Sequence, residues 1–496
     1  MEFDSVWRGK EREYPRLESD IVRDIVVIGG GIAGFLTAFR LAEAGESVTL
    51  IEADRLFSGT TGRTTAKITC NQGGVYAELF ARYGMSAAAL YYKSQAEGMR
   101  RFANLVQRYS IACDWKETDS YIFSHTLSHR LESARRVMER AGAACEWKTG
   151  ADVPFGAACA LKLGKQYLFD PLRFLSALPV GFEVYEHTRA VKIDAEHKTV
   201  QTESGTIQAK ILIVATRFPV VNSHGGYFLK LRQSSSYVLA VSRKTEGMYL
   251  EEREDGLSVR PYAGGTIVGG EDHRTGRTAG GHFKNLEERV FRVLGATAEE
   301  VTHRWCAEDV MTFDKIPMAG RYAKNLGGVY VVTGFNKWGM ANAMVCADIL
   351  RDCILGRENL YAALFSPQRQ IGGSLGAFLS NAATNVKGIV SGYFGMTFKT
   401  AADIPPGSGK VVRYQGKRRA VYRDESGKLY AIGRMCPHMH CELSWNGDTK
   451  TWDCPCHGSR FDIYGNILSG PAVKRCKCEA ADADKNDGGD KGNGTV

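Results

Sequence analysis

The sequence has no long hydrophobic run. Nowhere along its 496 residues do about 18 uncharged apolar residues follow one another, which is the length that a membrane-spanning helix requires. Residues 1–24 are polar and charged, and they lack the apolar stretch of a secretory signal. We therefore expect a cytoplasmic protein without membrane contact.

A dense basic run is also absent, although the formal net charge is +9. The 64 Lys and Arg residues are scattered among 55 Asp and Glu residues, unlike the basic stripe of a nucleic-acid-binding protein. We therefore expect no nucleic-acid partner, whereas a weakly positive surface would suit an anionic substrate or an acidic redox partner. The length favours at least two packed domains.

Cysteine is sparse over most of the chain and concentrated near its end. Seven of the 13 cysteines are spread singly, and the other six are Cys436, Cys441, Cys454, Cys456, Cys476 and Cys478. Because ordinary disulfides are rare in the cytoplasm, this concentration predicts metal or redox chemistry. The sequence offers no functional account of Cys476 and Cys478.

A glycine-rich motif near the N-terminus joins two apolar segments. The elements are, in order, a strand (24–28), the motif Gly29-x-Gly31-x-x-Gly34, a helix (35–44) and a strand (47–51) that ends at Glu52. This pattern is typical of a β-α-β unit that binds a dinucleotide pyrophosphate at the start of its helix, with the acid accepting hydrogen bonds from ribose hydroxyls. A tight turn that needs glycine for packing alone is the alternative. The motif does not distinguish FAD from NAD.

The rest of the chain shows a changing pattern of elements. We predict mostly helical structure over residues 75–144, short strands over 182–216, and a last strand (329–333) followed by a glycine turn and an apolar helix (340–355). Gly, Ser and Ala are frequent between residues 370 and 406, where residues 377–393 could form an amphipathic helix. Short strands with tight turns follow, which predicts a small all-β domain.

Three segments resemble the D-amino-acid oxidase (glycine oxidase-like) superfamily of FAD-dependent oxidoreductases. They are Gly29-Gly-Gly-Ile-Ala-Gly34, Gly59-Thr-Thr-Gly-Arg-Thr-Thr-Ala-Lys67 and Thr333-Gly-Phe-Asn-Lys-Trp-Gly-Met340, within a resemblance that covers about residues 24–355. It implies an α/β fold, with a Rossmann-like FAD-binding domain and an interleaved α+β substrate domain. The FAD-binding residues that it implies are Gly29, Gly31, Gly34, Glu52, Gly62, Thr64, Thr65, Val191, Gly334 and Gly339. Val191 could equally be a core residue.

Two short boxes near the C-terminus combine cysteine with histidine. Cys436-x-His438 and Cys454-x-x-His457 can supply two thiolates to one iron and two imidazoles to the other iron of a Rieske [2Fe-2S] cluster. The same four residues could instead build a tetrahedral zinc site.

The second box and its surroundings resemble the Rieske proteins of respiratory chains. The similarity lies in residues 452–462 and in Gly470-Pro471-Ala472, which is similar to the proline loop that covers the cluster in that family. It implies that Cys436 and Cys454 bind one iron, that His438 and His457 bind the other, and that a disulfide joins Cys441 to Cys456. His440 departs from the family, which commonly has glycine there, and we interpret it as an exposed imidazole.

Together these signals predict five segments. They are an N-terminal extension (1–23), a D-amino-acid oxidase-type FAD-dependent oxidoreductase domain (24–365), a linker with a possible helix (366–405), a Rieske [2Fe-2S] domain (406–480) and a disordered tail (481–496).

A flavin and a Rieske cluster on one chain would convert electron pairs into single electrons. A flavin accepts two electrons as hydride, whereas such a cluster moves one electron at a potential of about −150 to +300 mV. We therefore predict a dehydrogenase that passes electrons to an external acceptor; the resemblance implies a small-molecule amine or amino-acid-like substrate oxidised at a CH–NH or CH–NH2 group. Two alternatives remain. An external donor could feed the cluster so that the flavin reduces a substrate, or the protein could be a noncatalytic redox carrier.

The sequence assigns no catalytic acid or base. Lys67, Lys337 and Trp338 lie in segments that face the flavin or substrate in the resembling family, so they are the candidates, and a cation among them could pair with a substrate carboxylate. Lys230 and Arg232 are expected at a solvated strand end.

Overall fold

A computed structural model of the protein describes residues 4–9, 12–152, 154–221, 224–278, 280–370 and 400–477. The expected helix over residues 377–393, the C-terminal tail (481–496) and Cys478 lie outside the described residues.

The described chain contains twenty-four strands and eight α-helices. Up to the middle of the chain they are β1 (Ile21–Ile28), α1 (Ile32–Ala42), β2 (Val48–Ile51), β3 (Lys67–Ile68), α2 (Gly74–Arg108), β4 (Lys116–Ser124), α3 (His129–Arg140), β5 (Cys145–Thr149), β6 (Cys159–Leu168), α4 (Pro171–Ala177), β7 (Glu183–Tyr185), β8 (Ala190–Asp194), β9 (Thr199–Thr202), β10 (Thr206–Val214) and α5 (Tyr227–Lys230). Then follow β11 (Leu231–Val241), β12 (Met248–Glu251), β13 (Ser258–Tyr262), β14 (Gly265–Arg274), α6 (His282–Leu294), β15 (Val301–Thr312), β16 (Met318–Arg321), β17 (Val329–Thr333), α7 (Gly339–Ile354) and α8 (Ala362–Phe365). The last strands are β18 (Ser408–Tyr414), β19 (Lys417–Arg423), β20 (Leu429–Ile432), β21 (Ser444–Asn446), β22 (Thr451–Asp453), β23 (Arg460–Phe461) and β24 (Ile467–Ser469).

The β-α-β unit forms part of a mainly parallel sheet. The strand order is β16-β17-β10-β1-β2-β7, and the neighbours from β17 to β7 run parallel, while the hairpin β8-β9 pairs with β10. The second half of β1 and all of β17 are buried. Parallel strands are covered on both faces and therefore appear as continuous apolar runs, which is why the sequence revealed these two. α1 begins at Ile32, before the expected start at residue 35.

A second sheet contains nine strands. Its order is β15-β11-β14-β13-β12-β4-β6-β3, with β5 paired to β6, and its neighbours are antiparallel except for β12 and β4. The expectation that residues 75–144 are mostly helical is confirmed by α2 and α3, although β4 lies between them. The strand begins with exposed charged residues, Lys116 and Glu117, so its apolar alternation is too short to recognise.

The C-terminal β domain (residues 400–477) consists of two small antiparallel sheets. Their orders are β18-β19-β20 and β21-β22-β23-β24. Trp452 and Phe461 are fully buried together with Cys436, Cys454 and Cys456. The predicted small all-β domain is therefore confirmed, with its cysteines inside its core.

Both described ends of the predicted linker pack against a domain. The Arg369 guanidinium binds the Asp314 carboxylate through two nitrogens at 2.7 and 2.8 Å. At the other end, Ile404 packs against Val412 and Val421. Among the described residues, no helix is both long enough and apolar enough to cross a bilayer.

Candidate active site and metal centre

A cavity of about 1220 Å³ lies where the two large sheets meet. The ends of β1, β2, β10 and β17, several strands of the second sheet and the C-terminal β domain all line it. The carboxyl ends of parallel strands are where open α/β sheets bind nucleotides. The cavity therefore has the position that a dinucleotide would occupy.

The three glycines of the first motif allow close backbone approaches. Gly29 has φ +112°, and a Cβ there would lie 2.6 Å from the Ala215 carbonyl oxygen. A Cβ on Gly34 would lie 1.9 Å from the Gly29 carbonyl oxygen. Gly29 and Gly31 line the cavity, whereas Gly34 packs behind them. The turn thus needs glycine both for packing and for opening the start of α1 to a ligand.

Glu52 closes the end of the cavity beyond β2. Its carboxylate accepts hydrogen bonds from the Gly30 and Asp54 backbone N–H groups at 2.6 and 3.0 Å. Burial raises the pKa of this carboxyl group. A carboxylate fixed in this way retains lone pairs for ribose hydroxyls, which fits the adenosine half of FAD.

The turn after β2 is fastened to the start of α1. The Thr61 hydroxyl accepts a hydrogen bond from the Ile32 N–H at 2.9 Å. Thr64 and Thr65 line the cavity, whereas Gly62 does not; a Cβ there would lie 2.7 Å from the Phe57 carbonyl oxygen.

Trp7, in the predicted N-terminal extension, holds the same turn from outside. Its indole N–H donates to the Thr64 carbonyl oxygen at 2.6 Å, and the side chain is buried. A single tryptophan in a polar segment carries no periodic signal, so this contact cannot be recognised in the sequence.

The late glycine turn is rigid and faces the cavity. Gly334, Asn336 and Lys337 have φ values of +76°, +52° and +71°. The Asn336 side chain accepts from the Thr312 N–H at 2.8 Å and donates to the Gly334 carbonyl oxygen at 2.7 Å. Gly334, Lys337, Trp338 and Gly339 all line the cavity.

Two predicted positions differ from expectation. Val191 is half-buried and does not line the cavity, although its neighbour Ala190 does. Arg232 lines the cavity instead of lying at a solvated strand end. It lies on β11 opposite Met311 of β15, and a pairing between distant strands cannot be read from local sequence.

Charged groups of both signs surround the cavity. Lys337 forms an ion pair with Asp272 at 2.5 Å, and Asp309 lies on the wall nearby. Burial raises the pKa of the Asp309 carboxyl group, and Lys337 opposes that shift. Neither aspartate was singled out from the sequence, because β14 and β15 meet this site only after the second sheet has formed.

In the C-terminal β domain, two loops bring two thiols and two imidazoles together. The Cys436 and Cys454 thiols are both buried and interact with each other: the Cys454 thiol raises the pKa of Cys436 well above its ordinary value. The His438 and His457 rings lie 5.0 Å apart, centroid to centroid, at 87°. The first loop is closed by a hydrogen bond from the Cys436 N–H to the Cys441 carbonyl oxygen at 2.8 Å. Thiols on one side and imidazoles on the other can hold the two irons of a Rieske cluster.

The two loops are joined covalently. Cys441 and Cys456 form a disulfide with an S–S distance of 2.06 Å, as the resemblance implied. His440 is exposed, and its φ of +55° is a left-handed conformation that favours glycine. Cys476 is buried in the core of this domain, with its sulfur 3.9 Å from the Met435 carbonyl oxygen.

β11 contributes both to the cavity wall and to the surroundings of the metal centre. Arg232, Ser234 and Ser236 line the cavity. Gln233, which lies between them, donates from Nε2 to the carbonyl oxygens of His457 at 2.7 Å and Gly470 at 2.8 Å. Successive side chains of a strand point to opposite faces, so one strand serves both sites.

A buried ionic network fastens the C-terminal β domain to β15. The Glu308 carboxylate binds Arg217 at 2.8 Å and also binds Arg460. Arg460 in turn pairs with Asp453 at 3.0 Å. Nearby, the Asp448 carboxylate accepts hydrogen bonds from the backbone N–H groups at the start of α6. The two domains are therefore joined by charge-assisted contacts next to both candidate sites.

Comparison with known proteins agrees with this geometry. Residues 24–353 match the FAD dependent oxidoreductase family, and residues 396–480 match the Rieske [2Fe-2S] domain family. The chain is 33% identical over 487 residues to the putative Rieske 2Fe-2S iron-sulfur protein YhfW of Bacillus subtilis (strain 168), with 94% of each chain covered.

Two solved structures share the fold of the larger part. L-proline dehydrogenase from P. horikoshii has a TM-score of 0.59 at 20% identity, covering 70% of this chain and 97% of that one. Glycine oxidase from Geobacillus kaustophilus has a TM-score of 0.60 at 18% identity, covering 71% and 100%.

The predicted fold class and cofactors are confirmed, since the matched families bind FAD and a [2Fe-2S] cluster. The zinc alternative is thereby excluded. The chain belongs to the FAD dependent oxidoreductase family, and its C-terminal β domain is a Rieske [2Fe-2S] domain.

Proposed function

We propose that the protein is a cytoplasmic dehydrogenase that oxidises a CH–NH or CH–NH2 group of an amine or amino acid and delivers the electrons singly to an external acceptor. The observation that carries this proposal is the position of β11. Its alternate residues line the flavin cavity and contact the backbone of the cluster-binding residue His457.

When bound, FAD supplies a two-electron acceptor, and the cluster supplies a one-electron carrier. We assign Cys436 and Cys454 to one iron, and His438 and His457 to the other. The domain that holds these ligands itself lines the cavity, among others through residues 467–470. Direct electron transfer within the chain therefore needs no diffusing carrier.

The charges on the cavity wall support an amino-acid-like substrate. In the pairing of β11 with β15, Arg232 lies opposite Met311 and Ser234 lies opposite Asp309. Arg232 and Ser234 are two positions apart and share one face, so Arg232 and Asp309 are diagonal neighbours on that face. Such diagonal neighbours have Cβ atoms about 7–8 Å apart. A zwitterion could place its carboxylate at Arg232 and its ammonium at Asp309. The activities named for the two structural neighbours, on proline and glycine, support the same class.

The two histidines of the cluster site differ in exposure, which supports a direction of electron flow. His457 is 1% exposed and lies against the rings of Phe218 and Phe228. His438 is only partly buried. Electrons from the flavin would therefore enter on the His457 side, and the external acceptor would approach the His438 side.

A cytoplasmic disulfide is compatible with this proposal. Cys441 and Cys456 are 1% and 2% exposed, so cellular thiols have little access to either sulfur.

The deciding experiment is anaerobic addition of proline, glycine, N-methylglycine and simple amines to the purified protein carrying both cofactors. We expect bleaching of the flavin absorbance, followed by the electron paramagnetic resonance signal of a reduced Rieske cluster. Cys436→Ser, which removes a cluster ligand, should bleach without that signal. Cluster reduction by an external donor followed by flavin reduction, with no response to any amine, would establish the reverse direction instead.

A further inference from the structure

Among the described residues, three lysines line the flavin cavity, namely Lys67, Lys315 and Lys337, and of these only Lys337 has a carboxylate partner within 4.0 Å. The Lys337 ammonium pairs with Asp272 at 2.5 Å. The Lys67 Nζ instead binds the Tyr249 carbonyl oxygen at 2.9 Å and the Ser258 hydroxyl at 2.7 Å. Among the residues that the structure places, no Asp or Glu lies within 4.0 Å of the Lys67 Nζ. Lys337 therefore faces a carboxylate, whereas Lys67 of the same cavity faces two neutral hydrogen-bond acceptors.

Lys67 is positioned where the flavin-holding turn meets the second sheet. It directly follows Thr64, Thr65 and Ala66 and opens β3. Its two hydrogen bonds reach β12 and β13. The turn and the sheet touch here, because a Cβ added to Gly269 of β14 would contact the Thr65 methyl group at 3.6 Å.

The charged side chain that acts on Lys67 is a cation, Arg260. On β13, the Arg260 guanidinium is fixed by the carbonyl oxygens of Thr65, Ala66 and Phe169 at 2.7 to 3.2 Å. The strands packed against Lys67 carry these other titratable side chains: Tyr249 and Glu251 of β12, Tyr262 of β13, and Cys159, Lys162, Lys165 and Tyr167 of β6. Glu251 is paired with Arg289 at 3.0 Å.

This environment favours the neutral amine. Burial, assisted by the nearby Arg260 cation, lowers the pKa of Lys67 to about 7. A neutral amine has two N–H bonds, and here two acceptors are positioned for them. The nitrogen lone pair then occupies the remaining tetrahedral direction, and Lys67 lines the cavity. Lys67 can therefore accept a proton from a bound molecule.

We propose that Lys67 is the proton acceptor that converts the bound substrate ammonium into the neutral amine. This inference rests on the proposed amine oxidation. One N–H bond of the ammonium breaks, its proton forms the third N–H bond of Lys67, and the substrate nitrogen keeps the electron pair. That pair then forms the C=N bond as the adjacent carbon loses hydride to the flavin. The proton leaves Lys67 for solvent after the iminium product departs.

The kinetic test compares Lys67→Met, Lys67→Arg and the matched control Lys337→Met. The measured quantity is the anaerobic rate of flavin reduction at saturating amine between pH 5.5 and 9.5. In the unchanged protein the rate should rise with pH through about 7, because Lys67 must first lose its proton. We expect the Lys67 variants to lose this rise of the rate with pH and to reduce the flavin about a hundredfold more slowly or worse. In Lys337→Met the rate should still rise with pH through about 7.

Two further measurements separate a proton acceptor from a structural lysine. Added methylamine should restore flavin reduction to Lys67→Ala in proportion to its unprotonated fraction. In the substrate-free protein, brief treatment with acetic anhydride at pH 7 should acetylate Lys67 faster than Lys337, as read by peptide mass spectrometry. The acetylation does not depend on any substrate, so it tests the state of Lys67 even if no amine reduces the flavin.

Three results would overturn the proposal. The first is an unchanged rise of the flavin-reduction rate with pH in Lys67→Met, which would assign the proton acceptor to another group such as Asp309. The second is equal acetylation of Lys67 and Lys337. The third is a pH dependence of Lys67 acetylation whose midpoint lies near pH 10. Failure of every amine to bleach the flavin would instead refute the proposed function.

Discussion

The Gln233 side-chain amide donates hydrogen bonds to the His457 carbonyl oxygen and to the Gly470 carbonyl oxygen, at 2.7 and 2.8 Å. It thereby connects a strand of the flavin domain to two loops at the metal centre. These bonds join residues more than 220 positions apart, and Gln233 is buried. The amide therefore fixes where the cluster lies relative to the cavity wall.

Replacing Gln233 with Leu should slow electron transfer from flavin to cluster without changing flavin reduction. Two neutral hydrogen bonds contribute about 2 kcal/mol in total, so the docked arrangement would lose about tenfold or more in its equilibrium constant. Stopped-flow absorbance of both cofactors resolves the two steps. Ser235→Ala is the control, because Ser235 is on the same strand but binds Thr275. Equal cluster reduction rates in both variants would contradict the role of Gln233.

Glu308→Gln should destabilise the junction between the domains. The change removes the carboxylate partner of Arg217 and leaves Arg460 with Asp453 alone, and breaking a buried pair costs about 3–5 kcal/mol. The measurement is the urea midpoint for loss of the visible circular dichroism of the cluster. Glu203→Gln is the control, since its ion pair with Arg16 is exposed and contributes about 1 kcal/mol or less. A similar midpoint shift in the two variants would show that the network does not hold the domains.

Cys441→Ser should release the two cluster loops from each other. Closing a loop of 15 residues stabilises a fold by about 3 kcal/mol, so iron should be lost at lower guanidinium concentration than in the unchanged protein. Iron release is followed with a ferrous chelator. Cys353→Ser changes a half-buried free thiol in α7 and should leave iron retention as it was. If both variants retain iron equally, the disulfide is dispensable for the cluster.

Lys67 should also impose a pH dependence on stability. Between its folded pKa of about 7 and the ordinary lysine value of about 10.4, the unfolded chain binds a proton that the folded chain does not. Stability from this group therefore rises with pH in that window. The thermal midpoint of the unchanged protein minus that of Lys67→Met should increase from pH 7 to pH 9.5. A constant difference would mean that Lys67 keeps its ordinary pKa.

The sequence revealed those parts of the two sites that lie within short motifs. Gly29 and Gly334 mark turns whose backbone needs glycine, and the Cys436 and Cys454 boxes carry their chemistry in adjacent residues. Asp309 was not recognisable, because its position depends on the pairing of β15 with β11 across about seventy residues. β11 itself begins Leu-Arg-Gln-Ser-Ser-Ser, which has no apolar alternation to show its two faces.

The contacts between the domains were beyond sequence reasoning for a different reason. Arg460 lies three residues after the second cysteine-histidine box, yet its partner Glu308 lies in the other domain, 152 positions away. Neither residue shows from its own neighbourhood that it is buried. Only the docking of two separately folded cores creates the need for that charge pair.

The alternation of the two side-chain faces along β11 restricts which insertions and deletions the strand can tolerate. A single-codon insertion or deletion between Leu231 and Ser236 would exchange the two faces, turning the glutamine into the cavity and the arginine or a serine onto the iron-sulfur side. Both redox sites would be damaged by one event, and no compensating substitution at a single position could repair them. Length changes in this strand should therefore be tolerated only in steps of two residues, which an insertion scan with growth or colour selection could detect.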